Sequence, residues 1–408
     1  MLALSGAGHG DQILFDLFII FAAAKVSAEI FERLKQPAVV GEILAGILIG
    51  PSVLGWVTPS ALTHALSEIG VILLLFTVGL EVNPGALLKV GKRAFLVAVT
   101  GVLLPFAVGW GFMDLRGSPT IEGVFMGAAM VATSVGITAR VLAGMGRLSL
   151  EASQVILAAA VIDDILGLLV LSVVSSLAEG MVNYREIFIT ALVVTTFTLF
   201  MVFVVARLVK KSRPAIERLR VGHAYFVVGL LLCFGLSLVA TIAGGAAIIG
   251  AFLAGMAMAE VGEDTELPRY AGGVTEFLVP FFLVGIGLQL DLKAFEDLSV
   301  VWLALILTLL AVLTKLIGCG AAALPMGMKN AARIGIGMVP RGEVGIIVAQ
   351  LGLSLGVLSK SLYGVVVFMA VATTLIAPPF LKILFQGEKI SSPSDEEGVV
   401  DRQLSELE

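Results

Sequence analysis

Charge is scarce in this chain. Of its 408 residues, 14% are Asp, Glu, Lys or Arg, against about 25% in a soluble protein. Histidine occurs three times and cysteine twice. His9, His64 and His223 fall at expected loops or helix ends, so a catalytic histidine is not expected. Cys233 and Cys319 lie inside apolar runs and read as small buried side chains, not as a disulfide framework. No Cys/His cluster has metal-ligand spacing. No basic stripe alternates with aromatics, which leaves nucleic-acid binding without support. The N-terminus has neither a positive leader nor a small-residue cleavage site, so no removable signal peptide is expected.

What the chain does have is apolar sequence. It is 58% hydrophobic, with a mean hydropathy of +1.05 and 46 glycines. Glycine at that level suits transmembrane helices, where small residues let backbones approach. A bilayer core of ~30 Å needs about 20 mostly apolar residues per helix. Thirteen candidate spans follow: 11–34, 37–55, 62–82, 92–114, 120–144, 150–178, 184–212, 222–243, 244–261, 268–290, 297–324, 328–356 and 359–385. The boundary between spans 8 and 9 rests on Gly244-Gly245. The expected class is an all-α polytopic membrane protein.

Basic residues set the orientation. With the N-terminus outside, 19 of the 26 Lys and Arg residues fall inside, four fall outside, and Lys25, Lys315 and Arg341 lie within spans. The polar tail 387–408 reads as disordered, with no soluble regulatory domain expected.

Short motifs recur at one offset. Leu44-Ala45-Gly46 matches Leu253-Ala254-Gly255, and Val135-Gly136-Ile137 matches Val344-Gly345-Ile346, both 209 residues apart. Gly79-Leu80-Glu81 matches Gly287-Leu288-Gln289 at 208. Equivalent positions are then seven spans apart, so the second copy enters from the opposite face. A six-helix inverted repeat of this kind belongs to secondary transporters, whose sites form at the repeat interface.

A charge at the bilayer centre costs ~2.5–3.5 kcal/mol on insertion scales, so each one needs a reason. Asp163 and Asp164 lie near the middle of span 6. A buried carboxyl shifted towards neutral pH holds a proton or an alkali cation in turn, which is the basis of exchange. Lys315 lies deep in span 11, and Asp163 is its expected partner; a snorkelling lysine is the plainer alternative. That pairing leaves Asp164 as the main ion ligand. Spans 5 and 12 both read as interrupted, at Thr133-Ser134 and at Pro340-Arg341-Gly342-Glu343. Thr133 and Ser134 offer oxygen ligands, with ordinary helix packing as the alternative. Glu343 and Arg341 are expected to neutralise exposed half-helix ends, or to form a structural pair. Lys25 and Glu29, at i and i+4, read as a structural pair or a cavity rim.

These residues carry a resemblance. The runs 131–142 (Val-Ala-Thr-Ser-Val-Gly-Ile-Thr-Ala-Arg-Val-Leu), 160–164 (Ala-Val-Ile-Asp-Asp) and 340–345 (Pro-Arg-Gly-Glu-Val-Gly) resemble NapA-type Na⁺/H⁺ antiporters of the monovalent cation:proton antiporter-2 family, which have an NhaA-like fold. The resemblance implies a bacterial inner-membrane homodimer of thirteen-helix subunits. Scaffold and dimerisation helices would occupy 1–91 and 222–296, and a mobile core 92–183 and 297–386. Residues 184–221 would link the copies. Asp164 and Asp163 would hold Na⁺ or Li⁺ with help from Thr133, and no cofactor is implied. The Asp-Asp pair implies electrogenic exchange; Asn-Asp implies electroneutral exchange. Kef-type potassium systems differ, having Gln-Asp and a cytoplasmic nucleotide-binding domain.

Competing readings are a K⁺/H⁺ antiporter, a Na⁺-coupled organic anion symporter, an intramembrane aspartyl protease and a gated channel. A protease dyad needs carboxyls converging from separate helices, whereas Asp163 and Asp164 are neighbours on one. No enzymatic activity is expected.

Overall fold

A computed structural model describes residues 9–82, 89–178, 204–262 and 265–386, with 85, 188–189, 192–193, 195–196 and 200. Span 7 falls partly, and the tail 387–408 wholly, outside the described residues.

The described residues form helices and no named strand. In chain order these are α1 (His9–Arg33), α2 (Ala38–Ile49), α3 (Ala61–Leu80), α4 (Gly91–Leu115), α5 (Thr120–Ala129), α6 (Val135–Gly144) and α7 (Glu151–Ala178). Two short helices follow, α8 (Ala206–Lys211) and α9 (Arg213–Glu217). Then come α10 (Ala224–Ile242), α11 (Ala247–Gly262), α12 (Leu267–Leu288), α13 (Leu298–Ala323), α14 (Met328–Gly337), α15 (Glu343–Ser354) and α16 (Lys360–Phe385). Seven helices among the described residues are long and apolar enough to cross a membrane: α3, α4, α7, α10, α12, α13 and α16. The protein is a multi-pass membrane protein.

Polar residues fix several helix starts. Ser60 and Thr63 make a capping box at α3, with Ser60 Oγ accepting from Thr63 N at 3.2 Å. Asp297 caps α13 by accepting from Ser299 N at 2.9 Å. That backbone N–H, with the Ser299 side chain, holds the Asp297 carboxyl below the usual carboxylate range. Ser359 caps α16 in the same way. The turn at Gly244, with φ +82°, separates α10 from α11 where Gly244-Gly245 places the boundary.

Two expectations are corrected. The run 37–55 yields only the 12-residue α2, because Gly50 caps it and Pro51 cannot continue the hydrogen-bond ladder. Lys25 does not pair with Glu29. Arg33 takes Glu29 at 2.7 Å, and Lys25 reaches across to Glu276 on α12 at 3.3 Å.

The helices pack in two groups. One comprises α1, α2, α3, α10, α11 and α12. The other joins α4, α5, α7 and α13 to α16. α6 lies between them, against α3 and α2 on one side and α7 and α16 on the other.

Within the first group, two crossings mirror each other. A methyl on Gly46 of α2 would strike the Val284 carbonyl and sit 3.0 Å from Gly287 Cα on α12. A methyl on Gly255 of α11 would strike the Phe76 carbonyl and sit 2.9 Å from Gly79 Cα on α3. Gly46 and Gly255 are 209 positions apart, and Gly79 and Gly287 are 208 apart. The residues of the recurring motifs are thus the ones whose missing side chains let these backbones touch.

Candidate ion-binding site

The expected interruptions in spans 5 and 12 are real breaks in the helices. α5 stops at Ala129 and α6 starts at Val135; α14 stops at Gly337 and α15 starts at Glu343. The two extended segments meet antiparallel through a bridge between Thr133 and Arg341. Ser134 N donates to Pro340 O at 2.7 Å. Gly342 allows the approach, since a methyl there would lie 3.2 Å from Ser134 Cα. In the second segment Pro340 has no N–H to give a helix.

Four half-helix ends therefore converge, and their unpaired backbone groups need partners. Arg341, 1% exposed, reaches one of them and a carbonyl of α13. Its Nη1 donates to Val131 O beyond the C-terminal end of α5 at 3.2 Å, and its Nη2 to Ala311 O on α13 at 2.8 Å. Its own backbone N–H donates to Thr373 Oγ1 at 3.1 Å. Thr138 Oγ1 donates to Gly337 O at 2.7 Å, and Thr133 Oγ1 to Met338 O at 3.4 Å. A cation among exposed C-terminal carbonyls is favourably placed against the helix dipoles.

The acid pair sits on α7 against this crossover. Asp163 is fully buried and its two oxygens are taken. Oδ1 accepts from Lys315 Nζ at 2.9 Å, and Oδ2 from Thr133 N at 2.9 Å. Neither side chain of the ion pair is exposed. Lys315 fits because Gly101 on α4 has no side chain; a methyl there would lie 3.3 Å from Lys315 Nζ and 2.7 Å from Cys319 Sγ. Cys319 and Cys233 are free, buried thiols.

Asp164 turns elsewhere, as adjacent helical residues must. It is 4% exposed and lines a cavity with Thr133, Ser134, Arg341, Ser67 and Gln289 among others. The cavity encloses about 630 Å³ of empty space, its open mouth included. Glu343 opens α15 by its backbone; its side chain lies outside the described residues. Among the described residues no three His, Cys, Asp or Glu side chains cluster as a metal site. A cation here would be held by few carboxylates and by neutral oxygens.

The sequence reading missed Thr373, Thr138, Gly101 and the Val131 and Ala311 carbonyls. It also missed Glu42 and Glu276, lone acids in apolar runs. The cost argument that singled out Asp163 applies equally to both.

The family model described as "Sodium/hydrogen exchanger, transmembrane" matches residues 18–387. The high-affinity Na⁺/H⁺ antiporter NhaS3 of Synechocystis is 34% identical, over 92% of this chain and 90% of that protein. The Na⁺/H⁺-K⁺ antiporter GerN of Bacillus cereus is 35% identical, over 92% and 96%. Among solved structures, the sodium proton antiporter MjNhaP1 from Methanocaldococcus jannaschii superposes with a TM-score of 0.72 at 19% identity, over 95% of this chain and all of that one, a likeness of fold. With breaks, acid pair and buried lysine in one constellation inside the matched region, the chain belongs to the sodium/hydrogen exchanger transmembrane family.

Proposed function

We propose that this protein is a cation/proton antiporter that exchanges Na⁺ or Li⁺ for H⁺, in the NapA manner. The observation that carries the reading is the division of labour between the two aspartates. Asp163 is satisfied by Lys315 and Thr133 N–H, while Asp164 lines the open cavity. A carboxylate in that position binds a dehydrating cation or a proton, and the two compete. Thr133 and Ser134 supply neutral oxygens. When the cation arrives, the Lys315–Asp163 pair separates and Lys315 releases a proton. Two protons then move for one monovalent cation, and the exchange is electrogenic.

The thirteen-span topology with the N-terminus outside, the inner-membrane location and the homodimer belong to the same reading. So does the division into a mobile core and a scaffold, which the two packing groups support. Movement of the core against the scaffold would expose Asp164 to each side in turn.

Potassium is the second reading, because the Bacillus cereus relative is named for K⁺ as well as Na⁺. An organic anion suits the cavity less. Arg341 is the one basic residue among the described residues of its lining, and two of its nitrogens already serve carbonyls. The test is proteoliposome exchange: a preset pH gradient should collapse on adding Na⁺ or Li⁺. Collapse by K⁺ alone would replace the ion assignment, and no collapse by any alkali cation would end the reading.

A further inference from the structure

Four ionisable residues outside the acid-pair site converge from four helices. They are Lys25 on α1, Glu42 on α2, Arg140 on α6 and Glu276 on α12. Arg140 Nη2 lies 2.7 Å from Glu276 Oε1, and Lys25 Nζ lies 3.3 Å from Glu276 Oε2. Glu42 is 2% exposed and within electrostatic reach of Lys25, Arg140, Glu276 and Glu32.

Their exposure locates water. The Glu276 side chain is 55% exposed and that of Lys25 37%. Lipid does not tolerate a half-exposed carboxylate in the middle of an apolar helix. Glu276 and Lys25 therefore line an aqueous vestibule. It is not the cavity of Asp164. Phe282, the nearest α12 residue lining that cavity, is six residues from Glu276, about 9 Å along the helix at 1.5 Å per residue.

What separates the two spaces is thin. At the cavity, Gly136 of α6 closes on Val71 and Phe282; a methyl there would lie 3.1 Å from Val71 Cγ2 and 3.4 Å from Phe282 Cζ. Arg140 sits one turn further along α6, on the same face. Glu276 and Lys25 belong to the group containing α1, α2, α3, α10, α11 and α12, while α6 meets the acid-pair group through α7 and α16. The ion pair thus fastens α6 to the other group just beyond an apolar plug.

We propose that Arg140, Glu276, Lys25 and Glu42 form a charged latch that closes the second access route to Asp164 and opens once in each transport cycle. The latch rests on the alternating-access reading above. Ion pairs in a wet vestibule are weak individually, which suits contacts that must break at every turnover.

The test is hydrogen–deuterium exchange of the full chain in lipid nanodiscs. Glu276→Gln removes both ion pairs. Amides of α2 and α6 should exchange faster, on the order of tenfold, as the vestibule side opens, while the first half of α3 and the last turns of α12, at the cavity mouth, should slow. Arg140→Gln keeps the Lys25–Glu276 pair and should shift the same peptides in the same directions, so it carries the test if Glu276→Gln fails to fold. Unchanged uptake, or uptake raised on both sides together, overturns the latch. Proteoliposome exchange by the unaltered protein is the separate check: its absence with a reciprocal shift would end the antiporter reading and leave the latch standing.

Discussion

Asp163 and Asp164 are neighbours on α7, yet their carboxylates face different surroundings. Lys315 and Thr133 N–H hold Asp163 at 2.9 Å each, and Asp164 lines the cavity with Ser67, Ser134 and Gln289. The 100° step between adjacent helical residues makes this separation possible. On the proposed reading, one position would hold the site together while the next exchanges its ligand.

Asp164→Asn should therefore abolish cation–proton exchange without unfolding the protein. The amide matches the volume but neither titrates nor carries charge. Cation-driven proton flux in proteoliposomes should fall to the level of empty vesicles, with a melting temperature within a few degrees of the parent. Flux at parental rates would remove Asp164 from the centre of the mechanism.

Lys315→Ala should destabilise the protein by about 3–5 kcal/mol, because it strands a buried carboxylate. Asp163→Asn with Lys315→Met should recover most of that loss, since an uncharged pair of similar volume has no ion to desolvate. Thermal melts of the two variants make the comparison. The double variant should also lose the response of exchange to membrane potential if Lys315 carries the second proton. A melting temperature unmoved by Lys315→Ala would argue against the pair as a structural element.

Gly255→Ala should cost about 1–3 kcal/mol, since the new methyl collides with the Phe76 carbonyl, which cannot move alone. Gly273→Ala is the control. It lies in α12 with nothing within 4 Å of the added atom, so a gain of about 0.5–1 kcal/mol is expected from helix propensity. Equal effects of both substitutions would mean that the α3–α11 crossing is looser than its geometry.

The acid pair and Lys315 were legible because burying charge in hydrocarbon is costly enough to show in sequence alone. The second break was legible from Pro340 and Gly342. The first has no proline or glycine between Met130 and Ser134, so its signal is weaker. Lys25 was assigned to Glu29 because i,i+4 neighbours are visible in one dimension; Glu276, on another helix, is not. α2 ended early because Pro51 outweighed the apolar run around it. The partners of Arg341 were invisible for a different reason. They are backbone carbonyls, which every residue has, and only the fold decides which of them a side chain reaches.

Arg341 is for that reason the most informative single position at the crossover. Its two terminal nitrogens reach Val131 O and Ala311 O at once, tying a half-helix end to α13, which also carries Lys315. An ammonium is one point of charge and cannot span both carbonyls as a planar fork does. Arg341→Lys keeps the charge and should lose one of the two bonds, a charge-assisted hydrogen bond of about 1.5–3 kcal/mol. Displacement of the crossover moves Thr133, and with it the N–H that holds Asp163. Exchange should fall on the order of tenfold, the rate equivalent of about 1.4 kcal/mol. Arg341→Met, which removes the charge as well, should lose more. If Arg341→Lys exchanges at the parental rate, charge alone is what the crossover needs, and the forked geometry of the guanidinium is incidental.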